Sequence, residues 1–467
     1  MRAGSKKYAK LLHDLKLGIM SGKLKEGEYI PSENTIAEQY GLSRPTVRKA
    51  VAELAGEGLI RTIAGKGSVV LALGDSPGNR KVTLLNLYWM LPSYEYPMIE
   101  EIVGRFNREH AHIQVRLVPF SSEITPLVYA GYKQQDMQEL KPDLISISNR
   151  FLFELEAEKI EAVLQPLTDL HLETGNDIYD FLWKPARRGG QLFAVPVSFS
   201  PVMLVYNRSM FEDGGLDVPD GGWTWDDFVQ AAVRLSRQID DSTVQYGFAL
   251  SPSFYRWPLF FMQEGGQFAR SGKAFPPLNG AGDAGIQFIL DLIYKHRAAP
   301  LLHTASDLSE QIFQQGKVGM ILSTYYLCTL YEESRFDWGV CKFPAGRHDR
   351  SLAISTNIGI GKGCENVHEA RYFIQYLLST PIQALVKQRS TTLPAVRTVA
   401  ESAEYPHSAF AGSGYESFKE TLGDIQLVND LGLTCEQVTK LSRAMEMVWF
   451  RTETFEQVWK SLAREYG

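Results

Sequence analysis

Side chains able to contact nucleic acid are concentrated in one short segment near the N-terminus. Arg44, Thr46, Arg48 and Lys49 lie within six residues of one another and directly follow Ser43. Arginine suits bidentate contact with guanine, and threonine can contact a phosphate or a thymine methyl group. Four such side chains at the start of one helix favour contact with the major groove of DNA.

The elements around this segment fit that chemistry. Val47, Ala50, Val51 and Leu54 recur at i, i+3, i+4 and i+7, so a helix here buries one face and turns the polar side chains outward. Ser43 is placed to cap its start. The pattern predicts the second helix of a helix-turn-helix.

A shorter helix and a hairpin are predicted on either side of this helix. Ser32 can cap a helix over residues 33–40, and Gly41 can end it in the left-handed conformation. Apolar runs at 59–63 and 68–71 flank Gly65-Lys66-Gly67, whose glycines permit a tight turn. Together with an apolar stripe over residues 8–20, these elements predict an α+β winged helix-turn-helix over residues 5–71.

We expect the DNA contacts to come from the helix start, the residues before it and the hairpin. The predicted DNA-binding residues are Glu33, Asn34, Ser43, Arg44, Pro45, Thr46, Arg48, Lys49, Arg61, Gly65, Lys66 and Gly67. The alternative is an ordinary solvated basic helix, which is common in isolation.

The charge distribution bears on this choice. The whole chain of 467 residues has a formal charge of −6, which by itself argues against a nucleic-acid partner. Residues 1–75, however, hold 12 basic and 8 acidic side chains, whereas the remainder holds 36 and 46. A head of +4 therefore precedes a body of −10, which favours two different functions.

The head resembles the GntR family of bacterial transcription regulators. The resemblance rests on Ile30-Pro31-Ser32-Glu33, on Leu42 to Ala50, on Glu57 to Ile60 and on Gly65-Lys66-Gly67-Ser68. Where the family often has a DNA-contacting arginine after Pro-Ser-Glu, this chain has Asn34. The resemblance implies a homodimer on a palindromic double-stranded DNA operator, because each recognition helix reads one half-site.

The body is predicted to be an α/β domain that begins after a linker. Residues 72–81 are rich in turn formers and are expected to be the linker. From residue 82, strands alternate with amphipathic helices at 96–109 and 127–140, which predicts a parallel sheet. The length of nearly 390 residues favours two lobes with a crevice between them.

Aromatic residues in the body cluster with polar ones at the predicted ends of strands. These clusters are Tyr88-Trp89 with Ser93-Tyr94-Glu95, Trp183 before Arg187-Arg188, Phe254-Tyr255-Arg256-Trp257 and Tyr325-Tyr326, and Asn149-Arg150 ends a further strand. Ligand crevices lie at the carboxyl ends of strands, and flat aromatic and planar polar side chains suit sugars. Ordinary core packing is the alternative for any one of these aromatics.

The body resembles the extracellular solute-binding proteins of the maltose-binding type. The resemblance is most specific over Val195 to Phe211 and over Gly222-Trp223-Thr224-Trp225-Asp226. It implies a two-lobed, periplasmic-binding-protein-like (type II) fold over residues 82–467. Lobe 1 would comprise about 82–195 and 352–393, and lobe 2 about 197–350 and 395–467.

By that resemblance the ligand, a mono- or oligosaccharide, would lie between the lobes. The predicted ligand-binding residues are Trp89, Asn149, Arg150, Trp183, Ser198, Ser200, Phe254, Trp257, Tyr325, Tyr326 and Asn357. Ser200 stands where maltose binders place an acidic residue, so the identity of the sugar does not follow. Trp223 and Trp225 belong to a helix start that Thr224 can cap, and we expect them to be structural.

A carbohydrate-active enzyme and a non-exported solute receptor are the alternative functions. Asp226-Asp227 and Glu332-Glu333 are adjacent pairs that do not face each other on a helix, and the sequence has no nucleophile elbow, HExxH motif, P-loop or dinucleotide fingerprint. Four cysteines separated by 13, 23 and 71 residues are expected to be buried free thiols. We expect neither enzyme activity nor a cofactor or metal, and the apparent lack of a signal peptide or membrane span predicts a cytoplasmic protein.

Overall fold

The computed structural model describes most of the chain. The described residues are 7–8, 11–12, 14–15, 18–19, 24–25, 27–56, 59–63, 66–70, 82–91, 94–121, 142–155, 157–168, 170–172, 174–241, 243–270, 272–278, 280, 282–301, 308–405 and 414–466. The predicted linker at 72–81, the predicted helix at 127–140 and Gly65 fall outside them. The chain divides into two compact units, one of residues 1–85, 103–116 and 169–173 and one of the remainder.

The N-terminal head contains two complete helices and a hairpin. Helix α1 spans Glu33–Tyr40 and α2 spans Arg44–Gly56, and strands β1 (Ile60–Ile63) and β2 (Gly67–Val70) pair antiparallel. The described residues between 7 and 19 are also helical. This arrangement confirms the predicted winged helix-turn-helix elements.

The predicted caps and core of the head are present. The Ser32 hydroxyl accepts a hydrogen bond from the Thr35 amide at 3.2 Å, and Gly41 ends α1 with a φ of 57°. A residue with a side chain is strained at that φ, so glycine suits this position. The buried apolar residues are Leu11, Leu12, Leu15, Ile19, Ile30, Ile36, Val47, Ala50, Val51, Leu54, Ile60 and Val70. The stripe on α2 therefore faces this core, and the opposite face carries the basic residues.

The rest of the chain is an α/β structure. Its first half comprises β3 (Thr83–Leu91), α3 (Tyr96–Glu109), β4 (Ile113–Ser121), β5 (Leu144–Ser148), α4 (Asn149–Glu154), α5 (Ala157–Val163), α6 (Asp180–Trp183), β6 (Arg187–Arg188), β7 (Gln191–Leu192), β8 (Ala194–Asn207), α7 (Arg208–Asp213), α8 (Trp225–Leu235), β9 (Arg237–Gln238) and β10 (Val244–Ala249). The remaining elements are α9 (Pro258–Gln263), β11 (Ala269–Arg270), β12 (Lys273–Ala274), α10 (Asp283–Tyr294), α11 (Leu308–Gln314), β13 (Val318–Thr324), α12 (Tyr325–Cys328), β14 (Trp338–Cys341), β15 (Ser351–Ile360), α13 (Val367–Leu377), α14 (Thr380–Arg389), β16 (Leu393–Pro394), α15 (Arg397–Glu401), β17 (Ile425–Leu427), α16 (Cys435–Trp449) and α17 (Phe455–Tyr466).

The main sheet is mixed, and the expectation of a parallel sheet was wrong. Its strands follow the order β3-β5-β15-β8-β13-β10-β9. The pairs β3/β5 and β10/β13 are parallel, whereas β15 runs antiparallel to both β5 and β8. Alternation of helices and strands predicts parallel pairing, but it does not reveal long strands that return through the middle of a sheet.

The two long central strands organise the sheet. Strand β8 pairs with β15 up to Pro201, and from Val202 onward it pairs with β13. All 14 residues of β8 are buried. Strand β8 therefore pairs with β15 along its first part and with β13 along its second part, and so brings these two strands together along one continuous backbone.

The predicted structural role of the tryptophan pair near α8 is confirmed at Trp225. Its indole donates to Gln263 Oε1 at 3.2 Å and to the Pro344 carbonyl at 3.1 Å. Thr224 and Asp227 form a reciprocal capping box at the start of α8. Across the described residues, no helix combines the length and apolar character needed to cross a membrane.

Candidate nucleic-acid interface and ligand cavity

The start of α2 presents exposed polar side chains. Arg44, Pro45, Arg48 and Lys49 are exposed, and Thr46 is half-buried. The Ser43 hydroxyl accepts from the Thr46 amide at 3.4 Å and lies 2.7 Å from the Thr46 hydroxyl. The capped N-terminus and its positive dipole therefore stand beside the cations, which suits contact with phosphates.

The cations on α2 differ in what they contact. Arg48 donates to both carboxylate oxygens of Glu33, from Nε at 3.3 Å and from Nη2 at 3.0 Å. This hydrogen bonding raises the pKa of Arg48. The Lys49 ammonium lies 5.6 Å from the centre of the Tyr8 ring. Within the described residues Arg44 has no ion-pair partner, so its guanidinium is available to a ligand.

The hairpin supplies a second exposed basic region. Arg61 on β1 and Lys66 at the turn are exposed, and Gly67 has a φ of 109°. Asn34, on the exposed side of α1, is the other predicted contact outside α2. The predicted contact at Gly65 lies outside the described residues.

A cavity of about 700 Å³ opens within the second unit. Its walls come from the ends of β3, β5 and β13, from β15, from the loop at 251–256 and from α16. The lining residues are Trp89, Met90, Tyr94, Glu95, Ser146, Ile147, Ser148, Asn149, Arg150, Phe153, Ser251, Pro252, Ser253, Phe254, Tyr255, Arg256, Glu310, Thr324, Tyr326, Leu327, Ile354, Ser355, Thr356, Cys435, Val438, Thr439, Ser442 and Arg443. The aromatic and hydroxyl groups among them can stack on and hydrogen bond to a polar ligand.

Five of the predicted ligand-binding residues line this cavity: Trp89, Asn149, Arg150, Phe254 and Tyr326. Arg150 is exposed, and its guanidinium carbon lies 5.3 Å from the centre of the Tyr255 ring. The Asn149 amide is already engaged, because its Oδ1 accepts from the Ser355 amide at 2.9 Å and its Nδ2 donates to Asn429 Oδ1 at 3.3 Å. Asn149 therefore holds the wall together.

Two of the predicted aromatics that miss the cavity pack in the core. Trp257 is completely buried, with its ring centre 5.6 Å from Phe254 and 6.0 Å from Trp449. Tyr325 is also completely buried and donates to the Tyr415 carbonyl at 2.8 Å. Trp257 directly follows Arg256 and Tyr325 directly precedes Tyr326, and Arg256 and Tyr326 do line the cavity. Consecutive side chains in a helical turn point in different directions, so one of each pair faces the core.

The other four predicted residues outside the lining are Trp183, Ser198, Ser200 and Asn357. Trp183 is half-buried and lies 5.9 Å from the Arg187 guanidinium. Asn357 donates to the Ile147 carbonyl at 3.2 Å, across β15 and β5. The Ser200 hydroxyl accepts from the Tyr325 amide at 2.7 Å, so it supports the neighbouring wall.

Ser198 belongs to a buried network centred on Glu95, which was not among the predicted ligand-binding residues. Glu95 accepts from the hydroxyls of Ser198 at 2.5 Å, Thr356 at 2.8 Å and Thr392 at 3.1 Å. Tyr326 lies 3.2 Å from the Ser198 hydroxyl and 3.0 Å from that of Thr356. Burial raises the pKa of Glu95, against the opposing effect of these hydroxyl donors. The network fixes the cavity floor across β8 and β15.

Two further parts of the lining were not among the predicted ligand-binding residues. The residues of α16 at the cavity, Cys435, Val438, Thr439, Ser442 and Arg443, recur at helical spacing and form one face. Arg256 and Tyr255 stand between two predicted aromatics, and Arg256 is buried. The position of Arg256 among aromatic residues in the sequence could have indicated that it binds a ligand. The mixed composition of α16 does not indicate that this helix lines a cavity.

The remaining chemistry-bearing groups form no second centre in the part of the chain that the structure describes. No cluster of three potential metal ligands occurs there. None of the four cysteines forms a disulfide; Cys328, Cys341 and Cys364 are buried as expected, whereas Cys435 is half-buried at the cavity, so the expectation of burial was wrong there. Burial raises the pKa of the Cys328 thiol, which favours its neutral form.

Comparison with protein families matches both parts of the chain. Residues 91–384 match the model of the bacterial extracellular solute-binding proteins, and residues 7–70 match that of the gntR family of bacterial regulatory proteins. The HTH-type transcriptional regulator TreR of Bacillus subtilis is 48% identical over 65 residues, which are 14% of this chain and 27% of TreR. A putative binding protein of Brucella abortus is 21% identical over 366 residues, 74% of this chain and 83% of that protein.

Solved structures support the fold of the body. An ABC substrate-binding protein of Listeria monocytogenes, in complex with cycloalternan, aligns with a TM-score of 0.68 at 17% identity, covering 82% of this chain and 98% of that one. The maltose-bound MalE3 protein of T. maritima aligns with a TM-score of 0.67 at 19% identity, covering 82% and 99%. The body therefore has the two-lobed fold of periplasmic binding proteins.

Proposed function

Because the chain belongs to the bacterial extracellular solute-binding protein family and carries a gntR-family head, we propose that it is a DNA-binding transcription regulator controlled by a small ligand. The ligand is a carbohydrate, bound in the 700 Å³ cavity. The observation that carries the proposal is the presence, in one chain, of a capped basic helix and an aromatic cavity. Neither matched family is a family of enzymes.

The DNA-binding part of the proposal rests on α2 and the hairpin. Arg44 is available to base edges, and the capped start of α2 suits phosphate contact. Lys66 at the hairpin tip is exposed, so it would add a cation for contact with the sugar-phosphate backbone. We propose that a homodimer places two such heads on a palindromic operator, with half-sites about one helical turn apart.

The sensory part of the proposal rests on the cavity. Tyr94, Phe153 and Tyr255 are half-buried aromatic walls, and Ser442 and Thr439 add hydroxyls from α16. Stacking on sugar C–H faces combined with hydrogen bonding to hydroxyls is what carbohydrate recognition requires. The volume is sufficient for an oligosaccharide of a few units.

Coupling between the two parts follows from unequal ligand affinity for two conformations. A sugar that binds the closed lobes more tightly shifts the population toward closure, by no more than its differential affinity. In a dimer, closure changes the separation or orientation of the heads and so changes operator affinity. We propose that the protein acts in the cytoplasm, where the operator is.

The test begins with selection of bound duplexes from a random pool, followed by mobility shift of the selected operator with and without glucose, maltose, glucuronate and glucose 6-phosphate. We expect specific binding that one of the sugars alters. The Arg44→Ala variant is the matched control for the head. Absence of sequence selection at low salt would contradict the regulator function, whereas turnover of a sugar would favour the enzyme alternative.

A further inference from the structure

The charged residues of the cavity point to the chemical class of its ligand. Three arginines line it, from three different elements: Arg150 on α4, Arg256 in the loop before α9 and Arg443 on α16. We propose that the cavity binds an acidic sugar, one that carries a carboxylate or phosphate group, and that Arg256 and Arg443 hold the anionic group. This inference rests on the proposed carbohydrate-sensing function and specifies its ligand.

Arg256 is the central observation. Its side chain is buried, and its Nε is buried without a hydrogen-bond partner in the described structure. The hydrogen bond found for the guanidinium is from Nη1 to the Tyr255 carbonyl at 3.0 Å. Burial lowers the pKa of Arg256, which reflects the unfavourable desolvation of its charge. A buried guanidinium with donors left over requires an acceptor.

Neither of the two carboxylates at the cavity accepts a hydrogen bond from the Arg256 guanidinium in the described structure. Glu310 is buried and attracts Arg256 electrostatically, but the described structure has no ion pair between them within 4 Å. Glu310 accepts from the Ser309 hydroxyl at 2.5 Å. Glu95 accepts from three hydroxyls and faces the floor network. A neutral sugar would leave the Arg256 guanidinium without a directly bonded anion, whereas an anionic group provides a charge-assisted acceptor.

The remaining arginines extend the positive wall. Arg443 is exposed on the cavity face of α16, beside Thr439 and Ser442 at i−4 and i−1. Within the described part of the chain Arg443 has no ion-pair partner. Arg150 lies over the Tyr255 ring, so its charge also borders the cavity. The formal charge of the lining is therefore positive, with three arginines against two carboxylates.

The experiment compares neutral and acidic forms of one sugar by calorimetric titration of the full-length protein. The ligands are glucose, glucuronate and glucose 6-phosphate, at constant ionic strength, with inorganic phosphate as the anion without a sugar. We expect at least one acidic sugar to bind about 10- to 100-fold more tightly than glucose, because a charge-assisted hydrogen bond is gained. Glucuronate and glucose 6-phosphate distinguish a carboxylate from a phosphate group.

Variants test the assignment of the arginines. Arg256→Gln and Arg443→Gln should each weaken binding of the acidic sugar about 10-fold or more while changing glucose binding little. Arg464→Gln, an exposed arginine of α17 away from the cavity, is the matched control. Because Arg256 is buried, thermal melting is used to check that the Arg256→Gln variant is folded. Arg443 is exposed, so Arg443→Gln tests the assignment independently of any folding defect.

Preference for glucose over both acidic sugars, or acidic-sugar affinity unchanged in both arginine variants, would overturn the inference. Binding of inorganic phosphate as tight as that of glucose 6-phosphate would also overturn it, since the site would then recognise a free anion. None of these outcomes affects the proposed regulator function, which fails only if the mobility-shift experiment finds no operator or no sugar response. The two ideas are thus tested separately.

Discussion

Arg44 and Arg48 lie one turn apart on α2, yet their surroundings give them different tasks. The two hydrogen bonds from Arg48 to Glu33 join α2 to α1. Arg48 is exposed and Glu33 is half-buried, so this surface pair adds little stability, but it fixes where the Arg48 guanidinium lies. Arg44, lacking an ion pair in the described structure, can adapt to a base edge.

We therefore expect Arg44→Ala to lower operator affinity by about 1–3 kcal/mol and to relax sequence preference at one base pair of each half-site. The reason is loss of a bidentate contact to a base. Mobility shift with the selected operator and with single-base variants measures both effects. Arg464→Ala is the control, and an equal loss of affinity on every sequence would instead assign Arg44 to a phosphate.

Glu95 gives a pH-dependent prediction. Its pKa in the folded protein is raised above the ordinary value of 4.5 by burial. The folded state therefore binds the proton more tightly than the unfolded state, so the stability that Glu95 contributes is present below pH 4.5 and is lost as pH rises through the folded pKa. Glu95→Gln should remove this loss.

Urea denaturation of wild type and Glu95→Gln at a series of pH values measures the difference in the free energy of unfolding. We expect the variant to gain relative to wild type as pH rises from about 4.5 toward neutrality. Ser198→Ala, which removes one hydroxyl partner and no titratable group, is the control. Parallel pH profiles for wild type and Glu95→Gln would contradict the assignment.

At the scale of elements, the sequence predicted those helices and turns that are determined by residues close together in the chain. Caps, an apolar stripe and a glycine-flanked turn specify the head, and helix α3 was predicted with its bounds of Tyr96–Glu109. The aromatics of one loop could not be sorted into cavity and core, because Trp257 packs against Trp449, which lies far along the chain. The Glu95 network was missed for the same reason: its hydroxyl partners lie 103, 261 and 297 residues away.

Helix α16 allows a test of the cavity as an element. Ser442 is half-buried on its cavity face, so Ser442→Trp should fill part of the 700 Å³ and abolish the effect of sugar on operator binding. The mobility shift without sugar should be unchanged. Met447→Trp is the control, since Met447 is an exposed residue of the same helix that does not line the cavity. A preserved sugar response in Ser442→Trp would exclude this cavity as the sensor.

At the scale of the whole molecule, the division of charge now has a structural basis. The exposed Arg44, Arg61 and Lys66 of the head belong to a segment of net charge +4, while the other 392 residues carry −10. An acidic body repels the phosphates of DNA, so we expect DNA binding to depend on the head. Within that acidic body, the arginines of the cavity form a local exception.

Coupling between two binding sites of one molecule is reciprocal. If a sugar changes operator affinity by some factor, the operator must change sugar affinity by the same factor, because both are legs of one thermodynamic cycle. Calorimetric titration of the sugar into the protein with and without a saturating operator duplex should therefore reproduce the factor found by mobility shift. A scrambled duplex at the same salt concentration controls for nonspecific charge effects, which fall steeply with salt. Identical sugar affinities with and without operator would mean that the cavity and the head act independently, and the regulator would then have to take its signal from elsewhere.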